Sequence, residues 1–537
     1  MAPRTAPAAE RVNPAVGRHV WETRYRYVLD GEVREGSPDE SWRRVARAVA
    51  LAEGAERRLW EERFRGALSR LELLPGGRIL AGAGTAHRVT LFNCFVMGPI
   101  EDSLDGIFAA LKEGALTMQA GGGVGYDFST LRPRGLPARR AGAIASGPVS
   151  FMEIWNAVCA TLLSTGARRG AMMATLRCDH PDIEEFIDAK RRPGALRYFN
   201  LSVQVTEAFL EAVRRDEDWP LVFPTPGVAE EPAAEAVVRR WPGRTAPILC
   251  RTLRTVRARE LWDRMVRSAC ETGEPGALFV DRINRWNNLY YRERISATNP
   301  CGEIPLPPYG ACDLASLNLT RFVEAPFTPR ARLDSGRLAA SAALAVRLLD
   351  DVIDISRFPL PRQAAEARGS RRIGLGVTGL ADALVLLGLP YDSPEGRAAA
   401  AEAVRTVRDA AYRASIALAR ERGSFPFLDR ERYLEGRYVR TLPEDVRQGI
   451  AEHGIRNSHL LAIAPAGTIS LLADGVSSGI EPIFAARYRR RILDLEGRPV
   501  AFEVVAPSWA AWAASRGPGA GPPPAFRTVA DLAPADH

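Results

Sequence analysis

Lysine is almost absent from this chain of 537 residues, in which Lys112 and Lys190 are the only lysines. Arginine carries nearly all of the positive charge, and the formal net charge is +8. A basic balance can indicate nucleic acid binding. The arginines are spread along the chain and alanine is heavily used, so we interpret the charge as a composition bias and expect no nucleic acid polymer as partner. Clusters such as Arg489, Arg490 and Arg491 remain candidates for phosphate contacts.

Cysteine and long apolar runs are also scarce. Seven cysteines in a chain of this length argue against a secreted disulfide scaffold. No run of about 18 apolar residues is present, so we expect no membrane span. The first residues lack the apolar core of a signal peptide, and we therefore expect a cytoplasmic protein. The length suits one large catalytic domain with an accessory segment, or about three or four average domains.

Hydrophobic periodicity divides the chain into two parts. Residues 1–85 are predicted to form an N-terminal helical region, because residues 41–71 carry apolar side chains at helical spacing. Residues 86–537 alternate short apolar strands with helices, which is typical of an α/β domain. In that part, residues 91–97 and 199–205 are predicted strands, and residues 397–420 a long helix.

The segment 299–303 concentrates three reactive groups, the Asn299 amide, the Cys301 thiol and the Glu303 carboxylate. On an extended backbone, alternate residues point to one side, so the three groups are predicted to face one substrate. A thiol beside a carboxylate indicates acid/base or nucleophilic chemistry. Two further thiols, Cys94 and Cys312, favour redox chemistry in which two of the cysteines end as a disulfide.

Other motifs leave two interpretations open. Residues 120–125, rich in glycine, predict a tight turn or a close approach to a ligand. Residues 465–470 predict either a phosphate-binding turn or an ordinary helix N-terminus. Asp102 and Ser103 are typical of a helix cap. Cys178 and His180 are too few for zinc, so we expect no metal site. Cys159 and Cys270 follow helical apolar patterns and are predicted core residues.

Taken together, these segments resemble ribonucleotide reductase, specifically its adenosylcobalamin-dependent class. The matching stretches, in the family's order, are residues 93–96, 101–104, 121–125, 164–173, 299–303, 312–319, 465–470 and 479–482. The spacing of eleven residues from Cys301 to Cys312 is similar to the spacing in that class. The class with a separate radical-generating subunit usually has a longer step, and it stays as an alternative. The resemblance implies a ten-stranded α/β barrel of the ribonucleotide reductase and glycyl-radical type, with a finger loop inside.

The resemblance also implies roles for the reactive groups. Cys301 would be the radical cysteine, activated through adenosylcobalamin, and Glu303 the general base. Asn299 would bind the ribose hydroxyls. Cys94 and Cys312 would supply two electrons and close to a disulfide.

Binding sites follow from the same resemblance. The substrate-binding residues would be Asn93, Gly123, Asn299, Cys301, Glu303, Pro465, Ala466, Gly467, Thr468 and Ile469. The effector-binding residues would be Asp102, Ser103, Leu104 and Arg132. Ser164, Arg169 and Met172 would belong to the loop that links effector identity to base choice.

The expected partners are a ribonucleotide substrate, most simply a diphosphate, deoxynucleoside triphosphate effectors, thioredoxin as reductant and a second copy of the chain. Members of the family continue beyond the position that matches residues 531–537, with the last barrel strands and a cysteine-bearing tail. We therefore expect this chain to lack those strands and to bind cobalamin weakly. A nucleotide-binding fragment without turnover is a further alternative.

Overall fold

The computed structural model describes residues 12–137, 144–164, 168–224, 236–244, 246–517, 519 and 521–537, with backbone alone at 163, 164, 168 and 169. The α-helices are α1 (Pro14–Arg24), α2 (Pro38–Val49), α3 (Arg57–Ser69), α4 (Gly77–Gly82), α5 (Leu104–Gln119), α6 (Pro148–Thr161), α7 (Ile183–Asp188), α8 (Glu207–Arg215), α9 (Ala258–Thr272), α10 (Val280–Trp286), α11 (Ser335–Ile355), α12 (Pro361–Ser370), α13 (Leu380–Leu387), α14 (Pro394–Arg422), α15 (Arg430–Glu435), α16 (Glu444–His453), α17 (Thr468–Leu472) and α18 (Pro507–Arg516).

The strands are mostly short. They are β1 (Val28–Leu29), β2 (Glu32–Val33), β3 (Leu73–Pro75), β4 (Cys94–Val96), β5 (Gly123–Asp127), β6 (Leu163–Ser164), β7 (Arg168–Arg169), β8 (Met172–Arg177), β9 (Phe199–Val205), β10 (Asp218–Phe223), β11 (Ala236–Arg239), β12 (Ile248–Arg257), β13 (Gly276–Phe279), β14 (Ala297–Thr298), β15 (Pro305–Leu306), β16 (Ala311–Asn318), β17 (Val323–Glu324), β18 (Arg332–Leu333), β19 (Ile373–Thr378), β20 (Arg487–Leu493) and β21 (Pro499–Val505).

The N-terminal region is helical, as predicted. In α2, Trp42, Val45, Ala46 and Val49 are buried at the spacing of one helix face, and the opposite face is polar. Pro38 occupies the first turn, where its missing N–H costs nothing. This face packs against α3, and β3 then joins the chain to the main sheet.

The main sheet has the strand order β13-β9-β8-β5-β4-β16-β19, and β3 also pairs with β16. The five strands from β13 to β4 are parallel to one another, and so are β16 and β19. The two sets meet antiparallel at the β4–β16 pair. Except for the exposed edge strand β13, the strands of this sheet are buried almost continuously, as parallel strands covered by helices require.

A short hairpin of β14 and β15 lies against β5, β8 and β4. Its packing depends on glycine: a Cβ on Gly125 would come within 1.8 Å of the Thr298 carbonyl oxygen, and one on Gly123 within 2.9 Å of Pro300 Cγ. The glycine-rich segment therefore allows a close approach between two parts of the chain. The predicted tight turn is confined to Gly121 (φ +102°), because β5 already begins at Gly123.

Several predicted elements match the structure and one is too long. Residues 199–205 form β9, and the long alanine-rich helix is α14. The strand predicted over 91–97 is limited to Cys94–Val96, since its ladder partners extend no further. Among the described residues, none of the helices combines the length and the apolar character needed to cross a membrane.

Candidate active site

The loop between β14 and β15 carries Asn299 and Cys301 in a β-turn, and Glu303 directly after it. The Gly302 N–H donates to the Asn299 carbonyl over 3.1 Å. Pro300 and Gly302 take the second and fourth positions, where a common turn type favours them. The prediction of an extended segment is therefore wrong, because this turn interrupts the strand alternation. Cys301 is exposed at the tip of the turn.

The Asn299 side chain joins the predicted reactive groups in one hydrogen-bonded cluster. Its Nδ2 donates to Glu303 Oε2 over 2.7 Å and contacts Cys94 Sγ at 3.1 Å. Its Oδ1 accepts the Ile304 N–H over 3.0 Å. Because the acceptor end of the amide bonds a backbone donor, the hydrogen-bond network fixes the amide orientation. The turn thus brings together an amide, a carboxylate and a thiol.

Glu303 has the electrostatics of a general base. Burial raises the pKa of its carboxyl above 4.5, and the hydrogen bond from Asn299 opposes that rise. The Cys94 Sγ lies 3.9 Å from Glu303 Oε1. A carboxylate with a raised pKa accepts a proton closer to neutral pH, and it lies within reach of a thiol.

Cys94 and Cys312 lie directly opposite each other on β4 and β16. The Cα atoms of opposed residues in an antiparallel pair are about 4.5–5.5 Å apart. That separation is within the range that a disulfide spans. Burial raises the pKa of both thiols well above 9, and the negative charge of Glu303 adds to the effect at each. The pair is therefore held as two protonated thiols, which together can release two electrons and two protons.

The turn at residues 465–469 lies beside this thiol pair. Ala464, immediately before it, packs in one apolar cluster with Cys94 and Cys312. The Gly467 N–H donates to Ser478 Oγ over 2.6 Å, and α17 begins at Thr468. Before the turn, Leu461 makes a parallel bridge to Leu375 of β19.

Asn93 contacts two segments that contain glycine, the start of β5 at Gly123 and the residue before α4 at Gly76. Its carbonyl accepts the Gly123 N–H over 2.8 Å. Its Oδ1 is buried without a hydrogen-bond partner in the described part of the chain, and it would lie 2.9 Å from a Cβ on Gly76. This arrangement leaves an unused acceptor near the start of α4.

The predicted effector residues lie together at the start of α5. Arg132 Nε donates to both carboxylate oxygens of Asp102, over 3.1 Å and 2.9 Å. Ser103 caps α5 by accepting the Gly106 N–H, as predicted for a helix cap. Leu104 is exposed, and α5 presents further exposed apolar side chains at Phe108 and Leu116.

The predicted specificity loop is only partly described. Ser164 and Arg169 belong to the backbone hairpin of β6 and β7. Residues 165–167 and the side chains of Ser164 and Arg169 lie outside the described part of the chain. Met172 is buried at the start of β8, so it anchors this segment to the main sheet.

Two residues near the cluster escaped prediction. Asn200 Nδ2 donates to the Pro300 carbonyl over 2.7 Å, which fastens the tip of the turn to β9. Arg372 is buried immediately before β19, and its charge acts on the Cys312 thiol. Adjacent polar residues before a buried strand are a weak signal for such a role. One core prediction is wrong: Cys159 is buried, but Cys270 is exposed on α9.

Comparison with known proteins identifies both parts of the chain. Residues 15–88 match the family description "Ribonucleotide reductase, all-alpha domain", and residues 92–509 match "Ribonucleotide reductase, barrel domain". The predicted barrel type with an N-terminal helical region is therefore confirmed.

Curated relatives agree with this result. The vitamin B12-dependent ribonucleoside-diphosphate reductase of Mycobacterium tuberculosis (strain CDC 1551 / Oshkosh) is 44% identical over 480 residues, 88% of this chain and 62% of that protein. The protein of the same name in Thermoplasma acidophilum is 39% identical over 433 residues, 80% of this chain and 50% of that protein. The ribonucleoside-diphosphate reductase large subunit of Caenorhabditis elegans is 30% identical over 440 residues, 77% of this chain and 54% of that protein. The chain thus spans between half and two thirds of the length of these relatives, and it belongs to the ribonucleotide reductase large-subunit family.

Proposed function

We propose that this chain carries the catalytic site of an adenosylcobalamin-dependent ribonucleotide reductase, which replaces the 2′-hydroxyl of a ribonucleoside diphosphate with hydrogen. The observation that carries the proposal is the cluster of Asn299, Glu303 and Cys94, with Cys312 opposite Cys94. The names of the mycobacterial and Thermoplasma relatives support both the cofactor and the diphosphate substrate.

The tip of the turn fits a bulky cofactor. Cys301 is exposed there, and a Cβ on Gly302 would meet no atom within 4 Å, so the surface around the thiol is open. Cys301 and Gly302 would face adenosylcobalamin. When bound, this cofactor supplies the one-electron chemistry that turns Cys301 into an acceptor of a hydrogen atom.

Cys301, Glu303 and Asn299 have separate roles at the ribose. Cys301 Sγ takes the 3′-hydrogen atom, and Glu303 accepts the proton of the 3′-hydroxyl. Asn299 keeps Glu303 in place and binds the ribose hydroxyls. The C2′–O bond breaks, and the oxygen leaves as water.

The thiol pair supplies the two reducing equivalents that the reaction needs. Cys94 and Cys312 give two hydrogen atoms in total, one to C2′ and one to the water, and their sulfur atoms form a disulfide. Cys301 finally returns its hydrogen atom to C3′, and Glu303 returns its proton to the 3′-oxygen. We propose thioredoxin as the reductant that restores the two thiols.

Substrate phosphates are assigned to the turn formed by Pro465, Ala466, Gly467, Thr468 and Ile469. The position of this turn beside the thiol pair supports the assignment. Asn93, with its unused side-chain acceptor, and Gly123 would complete the substrate site.

Regulation and assembly are assigned to the region around α5. Asp102, Ser103, Leu104 and Arg132 would bind a deoxynucleoside triphosphate effector. Ser164, Arg169 and Met172 would transmit its identity to the substrate site. The exposed apolar side chains of α5 support a homodimer interface along this helix. The two family matches meet between residues 88 and 92, which supports a domain boundary near residue 86.

Activity with adenosylcobalamin alone tests the proposal. The chain is incubated with a ribonucleoside diphosphate and adenosylcobalamin, without metal or a second protein, and deoxynucleotide is quantified. Product that appears only with a separate metal-containing subunit would support the two-subunit class. Effector binding without any product under either condition would support a nucleotide-binding fragment.

A further inference from the structure

A buried arginine lies beside one sulfur of the thiol pair. In the parallel ladder Asp313 pairs with Ile373, so Cys312 and Arg372 occupy neighbouring positions one residue earlier. A Cβ on Gly374 would come within 3.1 Å of Cys312 Sγ. Arg372 immediately precedes β19, and the positive charge of its guanidinium acts on the Cys312 thiol. The Arg372 side chain therefore lies within electrostatic reach of Cys312.

The Arg372 guanidinium is held on two sides. Its Nη2 donates to Glu293 over 2.5 Å, and its Nε donates to His459 Nδ1 over 3.1 Å. Because Nδ1 accepts, the proton of the neutral ring lies on Nε2, which donates to Asn287 over 3.0 Å. Burial and Arg372 lower the pKa of His459 well below 6.5, so this ring brings no competing positive charge.

The third side of the guanidinium has an unsatisfied donor. Arg372 is 3% exposed, and its Nη1 has no hydrogen-bond partner within the described residues. A buried guanidinium N–H without an acceptor is costly. An emerging thiolate would provide the missing negative charge.

The two sulfur atoms have different surroundings. Cys94 contacts Asn299 and Glu303 at the turn that bears the exposed Cys301. Cys312 lies behind it, where its Sγ donates to the Asp313 carbonyl over 3.3 Å. Arg372 lowers the pKa of Cys312 against burial and the charges of Asp313 and Glu303. At Cys94 the Asn299 hydrogen bond acts in that direction.

We propose that Arg372 is a positioning residue that directs reduction of the Cys94–Cys312 disulfide, so that the incoming thiolate attacks Cys94 and Cys312 leaves. In this step a bond forms between the reductant sulfur and Cys94 Sγ. The Cys94–Cys312 bond breaks, and its electron pair goes to Cys312 Sγ, which departs as a thiolate beside the guanidinium. The second thiol of a dithiol reductant then releases Cys94. This inference rests on the redox pair in the proposed function.

Reduction by glutathione provides the test. The full chain is oxidised with diamide, treated with glutathione and quenched early with iodoacetamide, and the modified cysteines are mapped by mass spectrometry. The unchanged chain should carry glutathione on Cys94 and the alkyl group on Cys312. Arg372→Gln should slow the step about tenfold and remove the preference, since an adjacent opposite charge shifts a pKa by about 1–3 units. Arg372→Lys should retain most of the rate and most of the preference for attack at Cys94.

Arg371 offers a matched control. It is also buried, but it pairs with Asp350 and Asp354 on α11, and Arg371→Gln should keep the preference for Cys94. If Arg372→Gln does not fold, Glu293→Gln decides, because removing the carboxylate on Arg372 should speed the step. An unchanged or slower rate there would overturn the inference, as would glutathione on Cys312 in the unchanged chain.

The failure of the proposed redox pair is separately visible. If diamide forms no Cys94–Cys312 disulfide in the unchanged chain, the redox pair and this inference are both wrong. If that disulfide forms and Arg372→Gln alters neither the rate nor the position of attack, only the inference is wrong.

Discussion

Replacing Asn299 with alanine should raise the pKa of Glu303. The substitution removes a 2.7 Å hydrogen bond to a carboxylate that burial already makes harder to ionise. A hydrogen bond to a charged group contributes about 1.5–3 kcal/mol. One pKa unit corresponds to about 1.4 kcal/mol, so the pKa of Glu303 should rise by about 1–2 units.

Infrared difference spectroscopy can measure this shift without turnover. The carboxyl band that disappears in Glu303→Gln identifies Glu303, and its pH titration is then compared between the unchanged chain and Asn299→Ala. Asn318→Ala is a matched control, because Asn318 is buried at the far end of β16 and bonds Thr320 instead. Its titration curve should coincide with that of the unchanged chain.

The same substitution should move the acid limb of activity. Since Glu303 acts as a base only when ionised, the product formed in one turnover should fall at low pH first, with the midpoint shifted upward by the same 1–2 units estimated from the lost hydrogen bond. A pKa of Glu303 that stays constant or falls in Asn299→Ala would refute the role given to the amide.

Three other substitutions test separate parts of the structure. Gly125→Ala should destabilise the chain by about 1–3 kcal/mol and abolish most activity, because its Cβ would overlap the Thr298 carbonyl oxygen; thermal melting and product yield measure both. Phe108→Asp should weaken self-association, since it puts a charge on the exposed apolar side of α5; sedimentation without a shift to smaller species would contradict the interface. Asp313→Asn should raise the melting temperature at pH 8, corresponding to about 1–3 kcal/mol, and have little effect near pH 4. Burial raises the pKa of Asp313 in the folded state. The stability that the protonated carboxyl contributes is therefore lost as the pH rises above about 3.9, the pKa of the group in the unfolded chain. An equal effect at both pH values would exclude this cause.

Elements with strong periodicity could be predicted from the sequence. The apolar stripe of α2 and the alternation in β9 are local patterns, and the structure has both. The strand around Cys94 was predicted too long, because its length depends on β5 and β16, which lie far away in the sequence. The prediction of an extended backbone at 299–303 is wrong, because a β-turn interrupts the alternation of side chains along the strand.

The sequence predicts which residues form the candidate site better than it predicts their spatial arrangement. The motif around Cys301 and the resemblance supplied the thiols and Glu303. The direct opposition of Cys94 and Cys312 depends on an antiparallel junction between two parallel sets of strands, which no local pattern indicates. Arg372 could not be found for the same reason, since its relation to Cys312 exists only across the β16–β19 pair.

The central claim is that Cys94 and Cys312 supply the electrons for ribonucleotide reduction. The direct measurement is one turnover with adenosylcobalamin and a ribonucleoside diphosphate, without reductant, followed by product quantification and cysteine mapping. The account predicts one deoxynucleotide for each Cys94–Cys312 disulfide formed, and neither product nor disulfide in Cys301→Ser, which should still bind nucleotide. Deoxynucleotide formed while Cys94 and Cys312 both remain thiols would contradict it.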